Sequence, residues 1–166
     1  MTTEWMIRLA QCVVLVLVQV LFLNHIHLFG LAIPLLYIYI AITFRRGTPK
    51  WAALLTSFLL GLVIDSFSGT PGLAAGSLTL IAMVQSYLLE LFAPRDSADN
   101  MEVSISSLGF SKYVLFSGSL VLLYCLVFFG LESFSFFNVL SWLGHTAASA
   151  VLTLLVILAI ESVRSR

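Results

Sequence analysis

Six long apolar runs follow one another along this chain with almost nothing between them. They cover about Met6–Leu23, Leu28–Phe44, Trp51–Ser68, Gly72–Phe92, Tyr113–Leu131 and Val139–Ile160. A helix needs about 20 mostly apolar residues to cross the hydrocarbon core of a bilayer. Six such helices use most of the 166 residues and leave no room for a domain outside the membrane. Composition agrees: 60% of the residues are hydrophobic and 10% charged, against about 25% charged in soluble domains. So little charge cannot cover a water-facing surface. The runs lack the polar–apolar alternation of a membrane barrel strand. In lipid the backbone must then satisfy its own polar groups, which demands helices. The expected fold is all-α: one integral membrane domain over residues 1–166, a polytopic six-helix bundle.

The basic residues test that segmentation. Arg8 lies at the start of the first run; Arg45, Arg46 and Lys50 lie between the second and third. Arg95 and Lys112 lie between the fourth and fifth, and Arg164 and Arg166 follow the sixth. Those are all 8 basic residues of the chain, and six spans place every one on the same side. Cytoplasmic connections carry the Lys/Arg excess, so both termini are expected in the cytoplasm. No small-x-small cleavage site follows the first run, which reads as an uncleaved helix. Trp5, Trp51, Phe134, Phe136 and Phe137 fall near the expected interfaces, where aromatic side chains anchor membrane helices.

Little in the chain speaks for chemistry. The net charge is zero, which argues against nucleic acid as a partner. A phosphate-cradling glycine loop, His-x-x-x-His and Cys-x-x-Cys are all missing from the sequence. His25 and His27 lie two apart at an interface and His145 is remote in the sixth run, so neither a metal nor a cofactor is expected. Cys12 and Cys125 sit inside apolar runs and read as small hydrophobes. The connection from Pro94 to Lys112 is too short for a catalytic domain; its Asp96, Asp99 and Glu102 are expected to form a solvated face. An intramembrane enzyme needs a nucleophile and a base, and the spacing assembles no such set. The chain is therefore expected not to be an enzyme.

The densest local pattern is Gly61-Leu-Val-Ile-Asp65-Ser-Phe-Ser-Gly69-Thr-Pro71-Gly72-Leu-Ala-Ala-Gly76. A carboxylate this close to lipid is costly. Asp65 either caps the turn or the start of the next helix, accepting backbone N–H bonds, or faces an outward cavity or a partner's polar group. Gly61 and the Gly72-x-x-x-Gly76 pair, like Gly144, Ala147, Ala148 and Ser149 in the sixth run, permit close approach of helices. Such stripes serve internal packing or the docking of another helix. Pro34 removes a backbone hydrogen bond and kinks the second run, and Asn24 and Gly30 flank its outer end. Gln85 and Glu90 lie in the inner half of the fourth run; Glu90 is expected to snorkel to the interface.

The polar break Asn24…Gly30…Pro34 and the Gly61…Asp65…Gly69-Thr-Pro71-Gly72 segment, set in six short helices, resemble the rod shape-determining protein MreD family over roughly residues 7 to 160. The resemblance implies an inner-membrane scaffold or regulator of peptidoglycan elongation that maintains rod shape. It implies MreC-like, MreB, RodA and class B penicillin-binding protein partners. It also implies a fold like the S-components of energy-coupling-factor transporters, six helices around an outward pocket. Gly61, Asp65, Gly69 and Gly72, with Asn24 and Pro34, match the family-typical positions. The loop from Arg95 to Lys112 matches no family pattern. The alternative is a true S-component that binds a vitamin or similar small molecule. Those proteins carry an Ala-x-x-x-Ala stripe in the first helix, whereas this chain reads Gln11-Cys-Val-Val-Leu-Val-Leu-Val-Gln19.

Overall fold

A computed structural model describes residue 10 and residues 13–19, 35–93, 101–133 and 139–164, and every regular element among them is helical. In chain order these are α1 (13–19), α2 (Ile38–Ile42), α3 (Lys50–Ser68), α4 (Leu73–Phe92), α5 (Ile105–Leu108), α6 (Phe110–Ser133) and α7 (Val139–Arg164). Four of them, α3, α4, α6 and α7, are long and apolar enough to cross a membrane. They coincide with the third to sixth apolar runs. The first two runs, and with them Asn24, Pro34 and the hairpin expected around Gly30, lie wholly or partly outside the described residues.

α3 packs chiefly against α4, α4 also against α6, and α6 against α7, with the short α2 held against α3, α4 and α6. The interior combines a hydrophobic core with a set of buried polar side chains, and the exterior is apolar. Gln19, Ser57, Asp65, Ser77, Gln85, Ser117, Ser149, Thr153 and Glu161 are buried, while Leu55, Phe58, Leu59, Leu91, Leu115, Leu122 and Leu155 are exposed. Water would reverse that distribution; lipid favours it, because an outward leucine costs nothing there and an outward polar group does. The centre holds an aromatic chain. Tyr37 meets Tyr124 edge-on at 5.8 Å, Tyr124 stacks on Phe128 at 5.7 Å, and Phe128 meets Phe129 edge-on at 5.5 Å.

The second run departs from a continuous helix. Among its described residues only Ile38–Ile42 is α-helical, and Leu36 and Tyr37 form a turn ahead of it. The physical reason lies in where the backbone donors go. The N–H of Leu36 donates to Gln19 Oε1 at 2.9 Å, and that of Leu35 donates to Thr153 Oγ1 at 3.1 Å. Side chains from α1 and α7 replace the carbonyls that a helix would supply. Non-helical backbone at membrane depth is tolerated where protein encloses it, and Leu35 and Leu36 are buried.

Candidate functional site

The hairpin of α3 and α4 gives the Gly61–Asp65 pattern a geometry. α3 stops at Gly69, whose φ of 68° is left-handed; its N–H returns to the carbonyl of Asp65 at 3.0 Å. Gly72 at φ 84° opens α4 and, as the residue before its first turn, has no side chain to cap it. Asp65 caps it instead, from the preceding helix. Its Oδ1 accepts the N–H of Ala74 at 2.9 Å and the Thr70 hydroxyl at 3.1 Å, and its Oδ2 accepts the N–H of Ala75 at 3.0 Å. The carboxylate thus meets two orphan donors at the positive end of the α4 dipole, and only 3% of it is exposed.

Gly61 makes this possible. It lies one turn before Asp65, on the same face of α3. A Cβ on Gly61 would stand 2.3 Å from Ala75 Cα and 2.5 Å from Ala75 N. The first turn of α4 therefore rests on bare backbone at Gly61 while Asp65 holds its N–H groups. Of the two roles open to Asp65 in the sequence, this arrangement is the cap, with both carboxylate oxygens engaged by the chain itself.

The other glycines behave differently from a packing stripe. Gly72 is a turn residue, and a Cβ on Gly76 or on Gly144 would meet no described atom within 4 Å. Neither Gly76 nor Gly144 is a point of close helix contact among the described residues. Ser149 is buried, but Ala147 is exposed.

A second polar cluster closes the end of the bundle where the described basic residues gather. Glu102 receives the guanidinium of Arg45, and its Oε2 receives that of Arg164 at 2.9 Å. Arg164 Nη1 donates to the Tyr39 hydroxyl at 3.3 Å, and Tyr39 donates to Glu161 Oε2 at 2.7 Å. At Glu102 the side chain is partly solvent-exposed, as expected, and its carboxylate also clasps the connection after α2 to the end of α7. Arg45 comes from the connection after α2 and Arg164 is the last residue of α7, so two charge-assisted hydrogen bonds converge on one partly exposed carboxylate. Asp96 and Asp99 lie outside the described residues. The same segment is ordered by a capping box, with Ser107 N–H donating to Ser104 Oγ at 3.3 Å and Ser104 N–H to Ser107 Oγ at 3.1 Å. Val103 and Leu108 are buried beneath it.

Gln85 also has a defined task. Its Nε2 donates to the carbonyl of Phe44 at 3.2 Å, satisfying backbone just past the end of α2. Glu90 is exposed at the same end of α4. Cys125 is a free, buried thiol among apolar neighbours. No group of three or more potential metal ligands occurs among the described residues.

Gln19, Tyr39, Thr153 and Glu161 had no individual signal in the sequence. Each is a polar residue inside or at the edge of an apolar run, and that rarity was the only available pointer. Family models, curated proteins and solved structures contain no match to this chain.

Proposed function

We propose that this protein is a non-enzymatic membrane scaffold of the MreD type, placed in the bacterial inner membrane with both termini in the cytoplasm. It serves the peptidoglycan elongation machinery by docking an MreC-like partner, alongside MreB, RodA and a class B penicillin-binding protein. The observation that carries this reading is the use made of the polar side chains. Asp65, Gln85, Glu102, Gln19 and Thr153 each bind the chain's own backbone or its own charged groups. With these five groups engaged within the chain, the surface of the bundle is the part offered to other molecules. The resemblance at Gly61, Asp65, Gly69 and Gly72 supplies the narrower assignment.

Two measurements test it together. Depletion from a rod-shaped host should round the cells, and purification in mild detergent should recover wall-synthesis factors. Normal rods after depletion would overturn the assignment. So would recovery of an ATPase with its coupling subunit, which would make the chain a small-molecule-binding S-component.

A further inference from the structure

A shallow groove of about 610 Å³ runs between α4 and α6, lined by Val84 and Leu88 on one side and by Val114, Leu115, Gly118 and Leu122 among others on the second. Its walls are apolar. The one hydroxyl on it, that of Ser119, already donates its proton to the carbonyl of Phe116 at 2.8 Å. The size is within the range of about 300–1,000 Å³ in which small ligands are held.

Length and charge identify the occupant. From Val114 to Leu123 the groove extends nine residues along α6, or about 14 Å at 1.5 Å per residue. That is about half of the 30 Å hydrocarbon core, the depth of one leaflet. A partner helix crossing the bilayer would find a matching surface over only half its path. An acyl chain belongs to one leaflet and matches the length. At the end where the groove meets the interface stands Lys112, exposed, three residues before Leu115 and seven before Ser119, and so on the same face of α6. Lys112 forms no ion pair among the described residues. The other lysine at this end, Lys50, lies 4.6 Å from the Tyr87 ring, on the α3 side of α4. Glu90 lies two residues past Leu88, about 160° around α4 and away from the groove.

We infer that the α4–α6 groove is a binding site for one anionic glycerophospholipid of the leaflet at the Lys112 end, with an acyl chain along Leu115, Gly118 and Leu122 and the headgroup phosphate at Lys112. The groove supplies apolar contact and the lysine supplies headgroup preference, since one Lys near an anionic surface is worth about a five-fold change in association.

The test is native mass spectrometry of the full chain released from detergent micelles containing phosphatidylglycerol and phosphatidylcholine in equal amounts. One phosphatidylglycerol should be retained in preference to phosphatidylcholine. Lys112→Gln should lower that preference about five-fold, whereas Lys50→Gln should leave it unchanged. Ser119→Phe, at an exposed position, should abolish retention of both lipids, and an unaltered helical circular dichroism spectrum shows that the variant is folded. An equal loss of preference in the two lysine variants would reveal general attraction to the basic end and overturn the site. Full retention by Ser119→Phe would overturn it as well. So would protection of a Ser119→Cys thiol by a co-purified partner helix and not by phosphatidylglycerol.

Discussion

Gly61 and Gly76 belong to the same hairpin, and replacing each by alanine should change stability in opposite directions. Alanine is a better helix former than glycine by about 0.8–1 kcal/mol. At Gly76 the new methyl meets no described atom within 4 Å, so that gain should stand. At Gly61 the methyl would lie 2.3 Å from Ala75 Cα, 2.5 Å from Ala75 N and 2.8 Å from Ala74 C. All three are backbone atoms, so no side chain can swing aside; the helices must separate. Forcing such an overpacked contact costs about 1–3 kcal/mol. Separation also draws the Ala74 and Ala75 N–H groups from Asp65, and losing a cap adds about 0.5–2 kcal/mol. Set against the helix-propensity gain, Gly61→Ala should destabilise by about 0.5–4 kcal/mol. Equilibrium unfolding of the full chain in mild detergent, titrated with a denaturing detergent and followed by circular dichroism, would read both values. Asp65→Ala should cost a similar amount, because it leaves the first turn of a buried helix end without its acceptor. The double variant should cost less than the sum of the two, since each change loosens the same contact. A Gly61→Ala protein as stable as Gly76→Ala would refute the close crossing, and strict additivity would refute the linkage between Gly61 and the cap.

Three further outcomes follow from the structure. Thr153→Val keeps the side-chain shape but strands the buried N–H of Leu35, and should lower stability by about 1–3 kcal/mol in the same titration, with Thr153→Ser restoring most of it. Glu102→Gln should cost at most about 1 kcal/mol, because its side chain is 44% exposed. It should nevertheless speed hydrogen exchange at the α5 amides, and unchanged exchange would show that the clasp does not order that segment. A cysteine replacing Arg46, with Cys12 and Cys125 changed to alanine, should react with a membrane-impermeant thiol reagent in inverted vesicles and not in intact cells. Labelling of intact cells would reverse the proposed orientation.

The long helices were legible in the sequence because their signal is additive. Nineteen or more residues of α3, α4, α6 and α7 each contribute to one apolar stretch, and the turn at Gly69-Thr70-Pro71-Gly72 is written in residues with few other uses. Asp65 was legible as an anomaly, and capping was one of its two readings. Its actual targets, Ala74 and Ala75, were hidden, because the acceptor comes from the previous helix instead of the N-cap position. The glycine stripes were less informative. The same spacing served a contact at Gly61 and open surface at Gly76, and only the crossing point of two helices distinguishes them. The break at Leu35–Tyr37 could not be read from hydropathy, since its residues are as apolar as those of a helix. It depends on Gln19 and Thr153, far away along the chain. Glu102 was half legible for a related reason: it is partly exposed, as a charge in a short loop suggests, but the guanidinium groups that converge on it come from positions 45 and 164.

The turn ahead of α2 also bears on how the protein is made. Synthesis delivers N-terminal segments first, so Leu35 leaves the ribosome well before Thr153, the hydroxyl that accepts its N–H. Until the last long helix arrives, that early segment carries an amide with no fixed acceptor in lipid. The finished packing of the second apolar segment must therefore wait for the end of translation. A chain interrupted before residue 153 would insert into the bilayer yet present quality-control proteases with an unfinished segment near its beginning.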